Sequence, residues 1–354
     1  MTVSNEPLVS VVTPVYNGEA YLAECIESVL NQTYENFEYI IVNNCSTDRS
    51  LEIALSYAKK DGRLRVYSNA EFVGVMENHN IGLSLISPVA KYCKVVCADD
   101  FIFRECLAKM VDIAEANASV GLVGSYSLAG KKVKYWGLEY ERKVVKGSEL
   151  CRATLLGGPY VLGCPTSLLY RADLVRESGA FYPGSNPHAD TTACYQLLER
   201  SDFGFVHQVL SYTRIHPDSQ TSRSIKFRLV QLGMLRDLGR FGPKHLSQTE
   251  LSQRLASLMD YYYRSLVPLL VEQAGNKKFW QEQKTELEDM GLAFSWATLL
   301  RTALSKASSL LLKPAVAARR VLAMRRNAGK IEARYYEQEG RGSSVTTEHA
   351  LGGN

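Results

Sequence analysis

The feature that most constrains the fold is a repeat of apolar runs that each end in polar punctuation and are followed by helical spacing. Leu8-Val9-Ser10-Val11-Val12 is a short β-branched run broken by Thr13-Pro14 and Asn17-Gly18. After it, Tyr21, Leu22, Cys25, Ile26, Val29 and Leu30 recur at helical intervals. Phe37 to Val42 is a second run, closed by Asn43-Asn44-Cys45-Ser46-Thr47-Asp48. Ser46 or Thr47 is suited to cap the next helix, whose apolar positions are Leu51, Ala54, Leu55 and Ala58. Leu64 to Tyr67 leads into a helix around Asn80 to Ile86, and Tyr92 to Cys97 ends in Ala98-Asp99-Asp100. Such alternation predicts an α/β fold with a mostly parallel sheet and helices on both faces. Ligands of such sheets bind beyond the carboxyl ends of the strands, so three polar strand ends should converge.

Beyond residue 115 the pattern is less regular. Val120 to Tyr126 reads as a strand, and Gly157-Gly158-Pro159 with Gly163-Cys164-Pro165 as a tight stretch. A helix should begin near Ala172, another should run from Asp190 to Glu199, and Phe203 to Thr213 reads as paired strands. The expected organisation is one α/β domain over 1–224, with halves at about 8–115 and 116–224. A helical extension over 225–330 and a disordered tail over 331–354 complete it.

Composition enters as exclusion. A hydrophobic fraction of 46% and a charged fraction of 22% exclude a collagen-like or wholly disordered chain. The net charge of +4 is too small to point to nucleic acid. No apolar stretch approaches the ~18 residues of a spanning helix. Met1 to Pro7 lacks the basic and apolar regions of a secretory signal. The eight cysteines contain no CxxC pair and read as buried thiols in a reducing compartment.

Charge is uneven, however. From Arg301 to Arg334 nine basic residues face one acid, Glu332, a net +8 that leaves about −4 for the rest. Trp296, Leu299, Leu300, Ala303, Leu304, Ala307, Leu310 and Leu311 form one helical stripe. A basic amphipathic segment of this kind either rests on an anionic membrane or packs its stripe on the first domain.

The loop after the first strand lacks Gly-x-Gly-x-x-Gly, and no P-loop is present, so neither a dehydrogenase nor a P-loop kinase is supported. Adjacent carboxylates at a strand end, Asp99 and Asp100, repel unless a divalent cation or donor hydroxyls stabilise them. Taken together, Val9 to Gly18, Ser28-Val29-Leu30-Asn31-Gln32-Thr33-Tyr34, Ile41 to Asp48, Asn78-His79-Asn80-Ile81-Gly82 and Cys97-Ala98-Asp99-Asp100 closely resemble the family 2 glycosyltransferases. The likeness covers about residues 8 to 220.

That resemblance implies a GT-A fold and inverting transfer of a sugar from a nucleotide-sugar donor. The donor is expected to be a UDP-sugar and the acceptor a hydroxyl of a glycan or lipid-linked molecule in cell-surface polysaccharide assembly. It places Pro14, Tyr16 and Asn17 in the loop that wraps the base. Asn44 stands where the family usually has a base-contacting aspartate; its oxygen would accept from a ring N–H and its nitrogen donate to a carbonyl. His79 falls where an arginine often contacts the donor, and Cys45 replaces a common glycine, arguing against a left-handed turn there. The family's Asp-x-Asp falls on Cys97, Ala98 and Asp99, which leaves Asp99 and Asp100, with His216, to hold Mn²⁺ or Mg²⁺ and contact the donor. Asp190 is the implied general base, an N-cap being the alternative for that residue. The expected setting is cytoplasmic, with no nucleic-acid partner; contact with the inner membrane face is the membrane-binding alternative for the basic tail, which lies outside the resemblance. A non-catalytic nucleotide- or glycan-binding module is the competing reading.

Overall fold

A computed structural model describes residues 6–184, 188–216 and 228–311. The expected tail over 331–354 lies outside these residues. The chain divides into two compact units, residues 1–154 with 159–215, and residues 155–158 with 216–354.

The first unit is built on a ten-stranded sheet. Its strands are β1 (Val9–Val15), β2 (Phe37–Asn43), β3 (Leu64–Ser68), β4 (Tyr92–Val95), β5 (Phe101–Ile102), β6 (Val120–Ala129), β7 (Lys132–Lys134), β8 (Val144–Val145), β9 (Leu168–Arg171) and β10 (Asp202–Thr213). The order is β3-β2-β1-β4-β9-β6-β10-β5, with β7 on β6 and β8 on β10. The helices are α1 (Leu22–Leu30), α2 (Ser50–Ala58), α3 (Val75–Ser84), α4 (Cys106–Ala116), α5 (Gly147–Leu155), α6 (Ala172–Glu177) and α7 (Ala189–Leu198).

The sheet is parallel where strand and helix alternate, from β3 through β4. Beyond β4 it is mixed, because β9 runs antiparallel to both β4 and β6 while β10 runs parallel to β6. Side-chain alternation explains the two helical layers. Val9, Val11 and Val15 of β1 join the core formed with Leu22, Ile26 and Val29 of α1. Val12, of opposite parity, meets α3 at Gly82, where an added Cβ would lie 2.4 Å from Val12 Cγ1. Only glycine permits that approach.

Three local expectations are corrected. Thr13-Pro14 does not stop β1: pairing with β4 ends at Val12, so Pro14, which has no N–H to offer, pairs with β2 alone. Phe203 to Thr213 is not a pair of strands but part of one twelve-residue strand, whose register on β6 shifts at Val206/Val209 and Val209/Ser211. Ser46 and Thr47 do not cap α2. Asp48 Oδ1 accepts from the Ser50 amide at 2.9 Å instead, and the two earlier residues turn back to Asn17.

The second unit is helical in its described residues: α8 (Leu229–His245), α9 (Gln248–Leu266), α10 (Leu269–Glu272), α11 (Lys277–Glu288) and α12 (Trp296–Leu311). Ser247 and Glu250 form a reciprocal capping box at the start of α9. Asn276 caps α11 through the Phe279 amide. Leu235, Leu238, Phe241, Tyr262, Phe279 and Leu299 are all 3% exposed or less and form part of this unit's buried apolar interior. Among the described residues no helix is long and apolar enough to cross a membrane.

Candidate active site

Parallel strands deliver their carboxyl ends to one edge, and the loops there bind each other. Asn17, held at φ 49°, accepts from the Thr47 amide at 2.8 Å, and its own amide donates to Ser46 Oγ at 3.1 Å. The Gly18 amide donates to Ser50 Oγ at 2.8 Å, and the Glu19 amide to Asp48 Oδ2 at 2.9 Å. The β1 and β2 loops therefore form one rigid rim. Tyr16 is 51% exposed on it, its ring 4.8 Å from Phe72, which is 59% exposed. The aromatic at Phe72 was not singled out from sequence; its only signal was a ring in the loop between β3 and α3.

Asn44 behaves differently from a ready acceptor. Its oxygen accepts from Asn69 Nδ2 and from the Val73 amide, both at 3.0 Å, and its nitrogen donates to the Val73 carbonyl at 2.9 Å. Both lone pairs of that oxygen are engaged, leaving one N–H. Asn69 Nδ2 also donates to Asn78 Oδ1 at 2.9 Å, and Asn78 in turn to the Val42 carbonyl at 3.3 Å. This neutral amide network fastens residues 69–73 beside Tyr16. Cys45 is corrected: its φ is 55°, a left-handed residue after all. The turn is held by Asn44 N donating to Val15 O at 2.8 Å and Ser46 N to Asn43 Oδ1 at 3.2 Å, which outweigh the strain of a Cβ there.

Asp99 and Asp100 follow β4 as expected, but they differ. Asp99 is half-buried; Asp100 is 4% exposed and clasped from two distant segments. Thr166 Oγ1 donates to Asp100 Oδ2 at 2.6 Å, and the Arg214 amide to Asp100 Oδ1 at 2.9 Å. Burial, then the neighbouring Asp99 charge, pushes the Asp100 carboxyl well above the usual range, against the pull of those two bonds. Arg214 also donates from Nε to the Asp99 carbonyl, pairs with Glu24 and lies 4.4 Å over the Tyr21 ring. Behind them, the fully buried Lys94 donates to the carbonyls of Thr166 at 2.7 Å and Leu168 at 2.9 Å. Burial lowers its pKa. None of Thr166, Arg214 and Lys94 was identified from sequence.

Ligand atoms of Cys97, Asp99 and Asp100 lie within 4.8 Å of one another, a spacing suited to a shared cation. The thiol of Cys97 is pushed well above its usual pKa, first by burial and then by the two aspartates. Sulfur is a soft ligand, poorly matched to a hard ion such as Mg²⁺ or Mn²⁺. The set therefore fits a cation held chiefly by Asp99 oxygen, with substrate phosphates completing its shell.

His79, half-buried on α3, bonds through Nδ1 to the Val75 carbonyl at 2.8 Å. Its pKa is lowered, burial outweighing the Val75 bond and the Asp99 charge, so it is neutral near pH 7. Its ring meets Tyr182 edge-on at 5.7 Å. Tyr182 is in turn clamped by Asn80, which donates to its carbonyl and accepts from its amide, each at 2.8 Å. The Tyr182 hydroxyl is pushed well above its usual pKa, chiefly by burial, with Asp190 and Cys97 both adding to the effect. Asp190 is half-buried in the first turn of α7, where His188 holds the N-cap position, and Asp190 Oδ1 accepts from the Thr191 amide at 2.8 Å. His216, half-buried, belongs to the second unit and follows Arg214 by two residues; its ligand role rests on the family resemblance.

A sequence profile described as glycosyl transferase family 2 matches residues 10–179. An uncharacterized glycosyltransferase of Haemophilus influenzae is 32% identical over 203 residues, 55% of this chain and 61% of its own length. The chain thus spans less than two thirds of that relative. An uncharacterized glycosyltransferase of Rickettsia typhi is 30% identical over 62% of this chain and 67% of its own. The crystal structure of Staphylococcus aureus TarS 1-349 in complex with UDP-GlcNAc superposes with a TM-score of 0.58 at 18% identity, over 80% of each chain. At that identity the likeness shows the fold, which is GT-A with C-terminal helices. The chain belongs to glycosyl transferase family 2.

Proposed function

We propose that this chain is an inverting glycosyltransferase. It moves a sugar from a nucleotide diphosphate donor, a UDP-sugar first, to a hydroxyl of a glycan or lipid-linked acceptor in cell-surface polysaccharide assembly on the cytoplasmic side. The observation that carries the reading is the meeting of the β1 and β2 loops at the edge where Asp99 and Asp100 follow β4.

In this reading Tyr16 and Phe72 offer ring faces to the base. Pro14 and Asn17 shape the loop, and Asn44 acts by fixing residues 69–73, with its one remaining N–H turned to the donor. Neutral His79 offers a hydrogen bond rather than a charge to the donor. Asp99 is the principal ligand of Mn²⁺ or Mg²⁺, and Asp100 holds the strand end in place. A divalent cation bound there supplies charge neutralisation for the departing diphosphate. Asp190 takes the proton of the acceptor hydroxyl as that oxygen attacks the anomeric carbon.

Incubation with a panel of UDP- and GDP-sugars, with Mn²⁺ or with EDTA, tests this by nucleotide diphosphate release. Metal-dependent release from one donor supports transfer. Calorimetric binding of a donor without release, with acceptors supplied, would replace it with the non-catalytic binding module. In the same assay Asp99→Ala should abolish the metal's effect on donor affinity; an unchanged response to Mn²⁺ would remove Asp99 from the ligand set.

A further inference from the structure

The second unit leaves apolar surface exposed that a self-contained bundle would bury. On α12, Leu299 is fully buried and anchors the helix. The neighbouring stripe is not: Trp296 is 49% exposed, Leu300 54% and Leu304 71%. Residues spaced by four lie on one helical face, so these three form a continuous apolar strip. Every described residue from 304 to 308 is exposed, so the end of α12 extends past its packing partners within the unit.

Trp296 also lines a cavity of about 380 Å³ with Trp280, Phe294, Leu270, Lys277 and Lys284. Next to Leu270, Val271 is 84% exposed. Trp280 is fixed by its indole N–H, which donates to the Gln273 carbonyl at 2.9 Å. Lys284 is partly neutralised by Glu288 at 3.6 Å, both side chains about half exposed. The surface is thus apolar and aromatic, with ammonium groups at its border. The same helix begins the stretch from Arg301 to Arg334 with its net +8.

We infer that the face carrying Trp296, Leu300 and Leu304 docks on an anionic phospholipid bilayer, with Lys277, Lys284 and Arg301 meeting the headgroup phosphates and the net positive charge of the sequence that follows adding to the attraction. Charge selects this occupant. A second copy of the chain on the same face would bring two strongly basic segments together, whereas an anionic surface attracts both the segment and the lysines. Indole rings favour the boundary between headgroups and acyl chains, where one edge is apolar and the other wet. An interfacial helix of this type buries its apolar strip without spanning the bilayer. The inference is independent of the transfer reaction.

The test is vesicle flotation of the full chain, with Trp emission recorded in parallel. Binding is expected to phosphatidylglycerol-containing vesicles and not to pure phosphatidylcholine, and should weaken as salt rises from about 0.1 to 0.5 M. The double variant Leu300→Glu/Leu304→Glu should lose roughly a hundredfold in vesicle affinity. Its Tm should be unchanged, since both side chains are exposed. No binding to anionic vesicles overturns the proposal. Full binding by the double variant shows that the basic segment acts alone and overturns the docked face. A fall in Tm shows that the chain's own residues cover the strip, and a wild-type dimer split by the variant shows a self-interface; either overturns it as well.

Discussion

The parallel half of the sheet and its mixed half hold the candidate site by different means. In the parallel half, loops bind their neighbours one βα repeat away: Asn17 to Thr47, Gly18 to Ser50, Glu19 to Asp48. In the mixed half, contacts are long in sequence and made once: Thr166 and Arg214 on Asp100, and Lys94 on Thr166 and Leu168. Repetition brings strand ends together as a consequence of topology. A buried carboxylate needs its own donors, and these come from whichever segment the fold places beside it. The parallel half thus builds a rim and the mixed half sets the acid's surroundings.

The largest expected effect belongs to the mixed half. Asp190→Asn should lower transfer by about a thousandfold while leaving donor affinity intact, as loss of a general base does. Turnover near wild type, with calorimetry unchanged, would move the base to another residue and remove the division of labour. Next, Lys94→Ala should cost about 3 kcal/mol in urea unfolding, from a cavity and two orphaned carbonyls. Lys94→Met restores the volume and should recover part of that loss. Equal losses would mean that the two hydrogen bonds, not the packing, support the clasp.

In the parallel half, Gly82→Ala should cost about 2 kcal/mol by forcing α3 off Val12. A neutral result would show that the layer yields, and that rigidity is not confined to the clasped half. The smallest effect is at Asp48. Burial raises its pKa, but bonds from Ser50 and the Glu19 and Ser50 amides outweigh that and leave it lowered. A lowered folded pKa contributes stability above the unfolded value, near 3.9, that is lost as pH falls through the folded value. Asp48→Asn should therefore lower Tm slightly at pH 6 and not at all in strong acid. A difference that persists in strong acid would show that ionisation is not what Asp48 contributes.

Legibility followed the same boundary. β1, β2, β3 and the start of β4 were readable because each is an apolar run closed by polar residues, and α6 begins at Ala172 as the spacing predicts. β10 was misread because its bulged register on β6 interrupts the alternation that marks one strand. Asp99, Asp100 and Asp190 were visible as acids at element ends. The partners of Asp100 were not, since Thr166 and Arg214 lie 66 and 114 residues away and carry no local mark. Asn44 was read as an amide awaiting a ligand, and it is an amide already shared with Asn69 and Val73.

By itself the sequence determined the repeating strand–loop–helix units, the family likeness they carry and the basic stretch after Arg301, because periodicity and charge are properties of neighbouring residues. The tertiary structure alone decided which side chains are already satisfied, which carboxylate is buried and which face of α12 is left bare. Hydrogen-bond partners and solvent exposure depend on segments far apart in the chain, and only folding brings those into contact.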